Sequence, residues 1–425
     1  MTECAEQSMP SRLPDQTADV VVIGGGPAGL AAAVKLRRQG VSSVVVLERD
    51  VSAGGIPRQC SHPPFGVREF GRILSGMAYA RKLVSLAERF NVDIRVRHSV
   101  VALHPGGELN VATPKGPLTL RAKRVLIATG VREMPRSARL VSGGRPSGIF
   151  TTGVLQSMVN LQHLKPCNRP LIIGTELVSF SALHTARGAG MKPVAMIESG
   201  SRITARRPVD LYPRILGVPL HYSTEIEKIH GRDWVEGVTV RNAQGDLLDI
   251  DCDGVLFTGR FIPESTLVRL SHLELDPLSG GPVIDQFGRC SDPAYFAAGN
   301  LLRPVETAGW SFREGEAVAK WISDDLKGSG QIEKTIREAK RVRVHCTAPV
   351  KLVVPQMIVP GSSDGMQHLQ LRMLTRADGH LTVKADDQII WQKRLSALPE
   401  RRVLIALSAL NVSETCKALN ITMQP

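Results

Sequence analysis

A Val/Ile strand, a glycine turn and an alanine-rich helix run together in Asp19-Val-Val-Val-Ile-Gly-Gly-Gly-Pro-Ala-Gly-Leu-Ala-Ala-Ala-Val-Lys-Leu36. No other feature restricts the fold of this chain as tightly, because a buried strand turning sharply into a helix is the opening unit of a parallel α/β sheet. Gly24, Gly26 and Gly29 stand at GxGxxG spacing, and a second strand, Ser43 to Leu47, ends in Glu48. Each position has a separate task. Gly24 permits the turn, Gly26 lets a pyrophosphate approach the backbone, Gly29 lets helix and strand pack, and Glu48 accepts from ribose hydroxyls. Pro27 and Ala28 open the helix, whose N-terminus supplies the positive end that a pyrophosphate needs. The pattern predicts dinucleotide binding, with a purely structural glycine turn as the alternative.

The plan occurs twice. From Ile94 the sequence reads as strand, hairpin and strand, with turns at His104-Pro-Gly-Gly and Pro114-Lys-Gly-Pro, and closes on Thr129-Gly130. Pro170-Leu-Ile-Ile-Gly174 then enters a second turn, Leu177 to Ala189 reads as a helix, and Lys192 to Ile197 as a strand ending in Glu198. A further hairpin turns at Asn242-Ala-Gln-Gly and closes on Thr258-Gly259-Arg260. A repeat of this length predicts two nucleotide-binding domains side by side.

Composition agrees with that class. The 425 residues are 43% hydrophobic and 22% charged, with 4% aromatics and 39 Gly, which suits Val/Ile/Leu strands and turns close to phosphates. The seven cysteines are scattered without a CxxC, so a disulfide framework and a structural zinc site are not expected. No apolar run reaches the roughly 20 residues of a membrane span, and Met1 to Thr17 carries acids in place of an export signal, so the expected location is cytoplasmic. The net charge of +13 invites a nucleic-acid reading. Base-stacking aromatics beside a basic stripe are missing, so acidic protein partners or anionic cofactors are expected instead.

These motifs resemble the two-dinucleotide-binding-domain flavoproteins of the pyridine nucleotide-disulfide oxidoreductase superfamily. Asp292-Pro-Ala-Tyr-Phe-Ala-Ala-Gly-Asn300, followed by a helix from Ser311 to Leu326, resembles the strand and helix that meet the flavin. Asn300 stands where the usual residue is Asp. The resemblance implies that FAD is bound by Gly24, Gly26, Pro27, Ala28, Gly29 and Glu48 in the first turn and by Gly55 and Val101. Thr129, Gly130, Gly299, Asn300 and Thr307 would complete the site. The loop Ala53-Gly-Gly-Ile-Pro-Arg-Gln-Cys-Ser-His62 and the run Thr129-Gly-Val-Arg-Glu-Met-Pro-Arg136 are similar to the flavoprotein subunits of multicomponent dehydrogenases. Those include glycerol-3-phosphate-dehydrogenase-like systems, opine oxidase, hydroxyproline dehydrogenase and hydrogen cyanide synthase. The implied partners are a small cysteine-rich electron-transfer protein and a second FAD-dependent dehydrogenase subunit.

The second turn, Gly174-Thr-Glu-Leu-Val-Ser179, departs from the fingerprint. Glu176 and Ser179 replace the second and third glycines, and a carboxylate there repels a pyrophosphate. Reductases of this superfamily do carry Glu in this turn, so Gly174, Glu176, Glu198 and Gly259 remain candidates for NAD(P). Glu198 favours NAD over NADP, while Arg202, Arg206 and Arg207 favour the reverse or form a solvated basic face. Disulfide reduction needs two neighbouring thiols beside the flavin. Cys60 has no close sequence neighbour, so this is not expected. Cys60 and His62 are the catalytic candidates, as groups that tune or protonate reduced flavin or dock a partner, against a packed cysteine and a surface histidine. Arg132 and Arg136 are candidates for an anionic ligand or for surface ion pairs.

The expected fold is therefore α/β: two Rossmann-like three-layer domains of FAD and NAD(P) type, the second inserted in the first, plus a small C-terminal all-β module. Residues 1–17 form a flexible N-terminus, 18–160 and 254–328 the FAD-binding domain, and 161–253 the NAD(P)-binding-like domain. Residues 329–345 are a linker and 346–425 the β module. The last 95 residues carry 14 Lys/Arg against 8 Asp/Glu, +6 of the total +13, which predicts a docking surface or a structural lid. Three functions fit: an FAD-dependent electron-relay subunit, a self-sufficient NAD(P)H-dependent FAD oxidoreductase, or a flavin-loaded assembly subunit without turnover of its own.

Overall fold

Val20, Val21 and Val22 are fully buried in the strand Gln16–Ile23, because both faces of the sheet they form are covered. The computed structural model describes residues 13–328 and 340–424. The start of the expected flexible N-terminus, Cys4, most of the expected linker and the start of the basic run from Gln331 lie outside the described residues. Gln16–Ile23 pairs in parallel with Val44–Glu48 on one side and with Gly116–Ile127 on the other. Asp93–Val96 extends one edge, and Tyr295–Ala297 pairs in parallel with the end of Gly116–Ile127. The start of that long strand instead forms an antiparallel meander with Glu108–Thr113 and Ser99–His104. Helix α1 (Pro27–Arg38) follows the first strand with an almost wholly apolar buried side.

The second sheet repeats the plan in the order Leu220–His221, Ala195–Ile197, Pro170–Ile173, Gly254–Phe257, Ile149–Thr151, all parallel. An antiparallel set, Glu225–His230, Gly237–Arg241 and Leu247–Asp251, accompanies it. Helices α2 (Thr152–Asn160) and α3 (Leu177–Gly188) belong to this half. Its core is built from Leu155, Phe180, Leu183, Met196 and Leu256.

The chain divides into two compact units, one of residues up to Gly55, Ala80–Val131 and Pro263 onward, the other of Ile56–Tyr79 and Arg132–Ile262. This differs from the expected boundaries at residues 161 and 253. Ile149–Thr151 pairs with Gly254–Phe257, which pairs with Pro170–Ile173, so continuous backbone hydrogen bonding assigns all three strands to one sheet. The loop beyond Gly55 that carries Cys60 and His62 falls in this second unit as well.

The C-terminal module stacks two sheets. One runs Met357–Ile358, Val342–Cys346, Ala418–Gln424, Ala377–Ala385, Gln388–Ala397, and the other Val350–Val354, His368–Met373, Val403–Ala406. Alternation fills the space between them, with Leu369, Leu371, Leu381, Val383, Leu419 and Ile421 among the buried residues. The module starts at Val342, four residues before the expected boundary, because Val342 and Val344 pack into that core. Leu352 and Val354 join the core of the first unit, and helix α4 (Ala308–Leu326) packs on α1 in the same unit.

Candidate functional site

Three glycines give the first turn its shape. Gly24 takes φ +109°, and a Cβ there would lie 2.5 Å from the Ala128 carbonyl oxygen; a Cβ on Gly29 would lie 2.0 Å from the carbonyl oxygen of Gly24. Gly26 differs, because its missing Cβ faces only the Gly55 Cα at 3.9 Å, which leaves a cradle that the protein does not fill. Gly26 is also the N-cap of α1, where no side chain caps the helix, Pro27 opens it and no acid occupies the first turn. The positive end of α1 is thus left for an outside anion. Gly54 N–H donates to the Gly25 carbonyl at 2.7 Å, which seats Gly55 over the turn.

Glu48 is held at the turn by N–H groups of Gly25 (3.0 Å) and Asp50 (2.9 Å), one on each carboxylate oxygen. Each oxygen keeps a second lone pair for a ribose hydroxyl. Val101 is 56% exposed, at a register shift between Val100 and Ala102. Thr129 Oγ1 donates to the Glu264 carbonyl at 2.8 Å, and the Gly130 carbonyl accepts from Glu264 N–H at 2.9 Å. Gly299 lies against Ala28, and Gly315 of α4 packs against the Ala28 carbonyl, so both glycines converge on one residue at the start of α1. Thr307 is the N-cap of α4, again with no side-chain cap and no acid in the first turn.

Asn300 lies beyond the end of the strand Tyr295–Ala297, just after Gly299. Its amide is turned inward onto the backbone of Glu306. Around it sits a charged cluster that the sequence did not single out. Arg303 pairs with Glu314 at 2.7 Å, Glu314 also accepts from Gly299 N–H at 2.8 Å, and Glu306 receives Arg372 at 2.8 Å and Arg402.

Two uncapped helix ends, an open cradle and an acid at the end of the second strand fit FAD. Bound there, FAD would supply hydride or electron transfer at its flavin ring.

The second turn is arranged otherwise. Gly174 takes φ +109°, as Gly24 does, and Glu176 caps α3 with an extended backbone. Its carboxylate folds onto the neighbouring loop, accepting from Arg260 N–H at 2.9 Å, and a Cβ on Gly259 would lie 2.3 Å from it. Ser179 Oγ is 2.6 Å from Thr258 Oγ1, closing the place of the third glycine. Glu133 accepts from Gly153 N–H (2.8 Å) and Gly259 N–H (3.0 Å). Arg139 donates to the carbonyls of Thr258 (3.0 Å) and Gly259 (2.8 Å). Burial raises both Glu133 and Glu176 above the ordinary carboxylate value. Glu198 is buried and accepts from Gly200 N–H at 2.9 Å and from Thr175 Oγ1. As arranged, Glu176 sets a carboxylate at the turn that a pyrophosphate would approach, and like charge disfavours a nicotinamide dinucleotide there. Glu133 and Arg139 were not foreseen; the only hint was their place after Thr129-Gly130.

Cys60 and His62 each have their own packing partners. Cys60 Sγ lies 3.5 Å from the Ile56 carbonyl and 3.6 Å from Gln156 Oε1, and burial pushes the thiol up to about 12. It is a packed, protonated thiol at neutral pH. His62 stacks at a tilt on Phe65, 5.5 Å away, and edge-on to His184, 6.2 Å away. Burial, with His184 adding to it, holds the His62 imidazole below its ordinary value. Arg136 donates to the carbonyls of Val141 and Ser142, both at 3.1 Å.

Residues 18–315 match the family described as pyridine nucleotide-disulphide oxidoreductase. The chain belongs to that family. Its members bind FAD and NAD(P), and the chain has the Rossmann-type fold of that family. It is 25% identical to an alkyl hydroperoxide reductase subunit of Pseudomonas putida, over 67% of this chain and 53% of that one. It is 27% identical to an opine oxidase subunit of Rhizobium meliloti (strain 1021), over 54% and 49%. The alpha subunit of sarcosine oxidase from the same organism is 27% identical over 81% of this chain and 34% of that one. The chain thus spans about half or less of the length of these three relatives. Thioredoxin reductase of T. acidophilum has the same fold, with a TM-score of 0.62 at 24% identity, covering 74% of this chain and all of that one. No helix among the described residues of this oxidoreductase is long and apolar enough to cross a membrane.

Proposed function

We propose that this oxidoreductase is the FAD-carrying subunit of a multicomponent dehydrogenase, passing electrons between a partner flavoprotein and an acceptor. The observation that carries the reading is the contrast between the two turns. Gly26 leaves an open cradle at the start of α1, whereas Glu176 is folded against Gly259 at the start of α3. A flavin seat in one unit and a disfavoured nicotinamide seat in the other suit electrons arriving from a protein. Likeness to the opine oxidase and sarcosine oxidase chains supports it, since both are named as subunits. The proposed partners are a small cysteine-rich electron-transfer protein and a second FAD-dependent dehydrogenase subunit, and the proposed setting is the cytoplasm.

In this reading the N–H groups at the start of α1 bind the pyrophosphate, Glu48 orients the ribose, and Gly55 and Val101 shape the adenosine side. Thr129 and Gly130 hold the strand end in register with Glu264. The N-terminus of α4 at Thr307 places its positive end where negative charge develops on reduction. Gly315 lets α4 approach Ala28, and Gly299 lies against the same residue. Cys60 and His62 remain neutral, and their part is to shape the loop without donating a thiolate.

Disulfide reduction is not part of the proposal. Cys167 and Cys252 do sense one another electrostatically, yet they lie just before the strands Pro170–Ile173 and Gly254–Phe257, at the ends away from the glycine turn. Burial pushes them up to about 12 and about 11.

Anaerobic mixing of the purified flavoprotein with NADH or NADPH tests the reading. The expected outcome is no bleaching of the oxidised flavin band with either nucleotide and bleaching with a co-purified dehydrogenase plus its substrate. Rapid bleaching by a nicotinamide alone would establish the self-sufficient reductase instead.

A further inference from the structure

Strand pairing in the C-terminal module creates an electrostatic problem that a distant residue solves. His368–Met373 and Val403–Ala406 run antiparallel, with His368 opposite Ala406 and Leu371 opposite Val403. The same register puts Arg372 opposite Arg402. Two like charges facing one another across a pair of strands repel, and burying them raises the cost. Both side chains are mostly buried, at 11% and 14% exposure, and both reach the carboxylate of Glu306, itself 6% exposed. Arg372 also donates to the Val305 carbonyl at 3.1 Å, and the Arg402 guanidinium lies over the Trp310 ring at 4.3 Å. Arg303 approaches the same carboxylate at 3.8 Å and pairs with Glu314. Three guanidinium groups therefore share two carboxylates.

Glu306 is the residue before Thr307, the N-cap of α4, and its own backbone is gripped by the Asn300 amide. The appended module thus fixes, through one carboxylate, the loop that sets where α4 begins.

We propose that Arg372 and Arg402 are positioning residues for the flavin site, acting through Glu306 to hold the N-terminus of α4 against the flavin. The proposal rests on the reading that this helix end faces the flavin. It gives the β module a role in setting the flavin's potential, in place of a lid. Reduction adds negative charge to the flavin, so a helix end held in place favours the reduced form. Releasing Glu306 moves that end and frees a carboxylate, and both changes disfavour the reduced form.

The experiment uses the full chain as purified with its flavin, in the variants Arg402→Ala, Arg402→Lys and Glu306→Gln. Arg402→Ala should lower the flavin midpoint potential, alter the visible flavin bands and weaken FAD retention by about tenfold, within the usual range of coupling between two sites. Arg402→Lys, which keeps the charge beside Glu306, should return the potential most of the way. Glu306→Gln, whose amide oxygen still accepts from a guanidinium and keeps the tether while the negative charge beside the helix end is lost, should raise the potential. If Arg402→Ala does not fold, the opposite shifts of the other two variants, small for Lys and upward for Gln, decide the matter. An unchanged potential and spectrum in these variants, with only thermal stability reduced, overturns the proposal and leaves a structural role. A wild-type chain that carries no FAD would instead overturn the flavin reading itself, an outcome distinct from the first.

Discussion

Asn300 and Glu306 are joined twice through one amide: Nδ2 donates to the Glu306 carbonyl at 3.1 Å, and Oδ1 accepts from the Glu306 N–H at 2.7 Å. An amide offers a donor and an acceptor side by side, whereas an ionised carboxylate offers acceptors alone. That explains the amide where the related flavoproteins carry Asp. Asn300→Asp should therefore destabilise the chain although it restores the family residue, because a carboxylate oxygen would face the Glu306 carbonyl. The expected cost is about 1–3 kcal/mol, the penalty of a buried acceptor left without its donor. Thermal unfolding of the variant checks it, and a stability equal to wild type would show that the bridge contributes nothing.

Glu176 sets the second prediction. Replacing it together with Ser179 by glycine recreates the spacing of the first turn and removes a carboxylate from the place of a pyrophosphate. The double variant should bind NADH or ADP-ribose about tenfold more tightly than wild type, which corresponds to relief of one partly screened like-charge contact. Fluorescence titration of NADH measures this. Equal weak binding by both proteins would mean that something other than Glu176 closes the seat.

The parts of this fold that local chemistry dictates were legible in the sequence. The strand Gln16–Ile23, the glycine turn and α1 follow from burial periodicity and from steric demands at Gly24 and Gly29, which act within a few residues. The second Rossmann-like half was legible for the same reason, through Gly174 and α3. What escaped depends on pairs far apart in the chain. Nothing near Glu133 announces that its carboxylate will bridge Gly153 and Gly259, and nothing near Glu306 announces Arg372 and Arg402. The strand Ala418–Gln424 carries its signal locally, since its Leu419, Ile421 and Met423 alternate inward as a strand requires.

Cys60 provides the third prediction. With its thiol pushed up to about 12, only about one molecule in ten thousand carries the thiolate at pH 8. Iodoacetamide should label Cys60 far more slowly in the folded chain than in denaturant, as peptide mass spectrometry would measure. Cys60→Ser keeps a donor for Gln156 Oε1 and should leave the rate of flavin reduction within about twofold of wild type, since the thiol supplies no charge. A much larger loss in the serine variant would restore Cys60 as a working group at the flavin.

The last prediction concerns pH, where the sign follows from burial at the second turn. Glu176 is raised above its ordinary value of 4.5, first by burial and then by Glu198, while the Arg260 N–H and the Arg139 and Arg260 charges pull the other way without reversing it. The folded chain therefore keeps a proton on Glu176 at a pH where the unfolded chain has released it. A state that binds more protons is favoured by acid, so this contribution to stability is complete below 4.5 and is lost as pH rises through the raised value. Glu133, raised mainly by burial, adds to the same trend. Glu176→Gln removes the titration while its amide oxygen still accepts from Arg260 N–H. Variant and wild type should then match in stability near pH 4.5, with the variant becoming the more stable of the two as pH rises towards 8. Urea unfolding midpoints across that range give the comparison. If the variant is instead the less stable protein at pH 7, the carboxylate is ionised and stabilised by Arg139, and charge pairing outweighs burial at this turn.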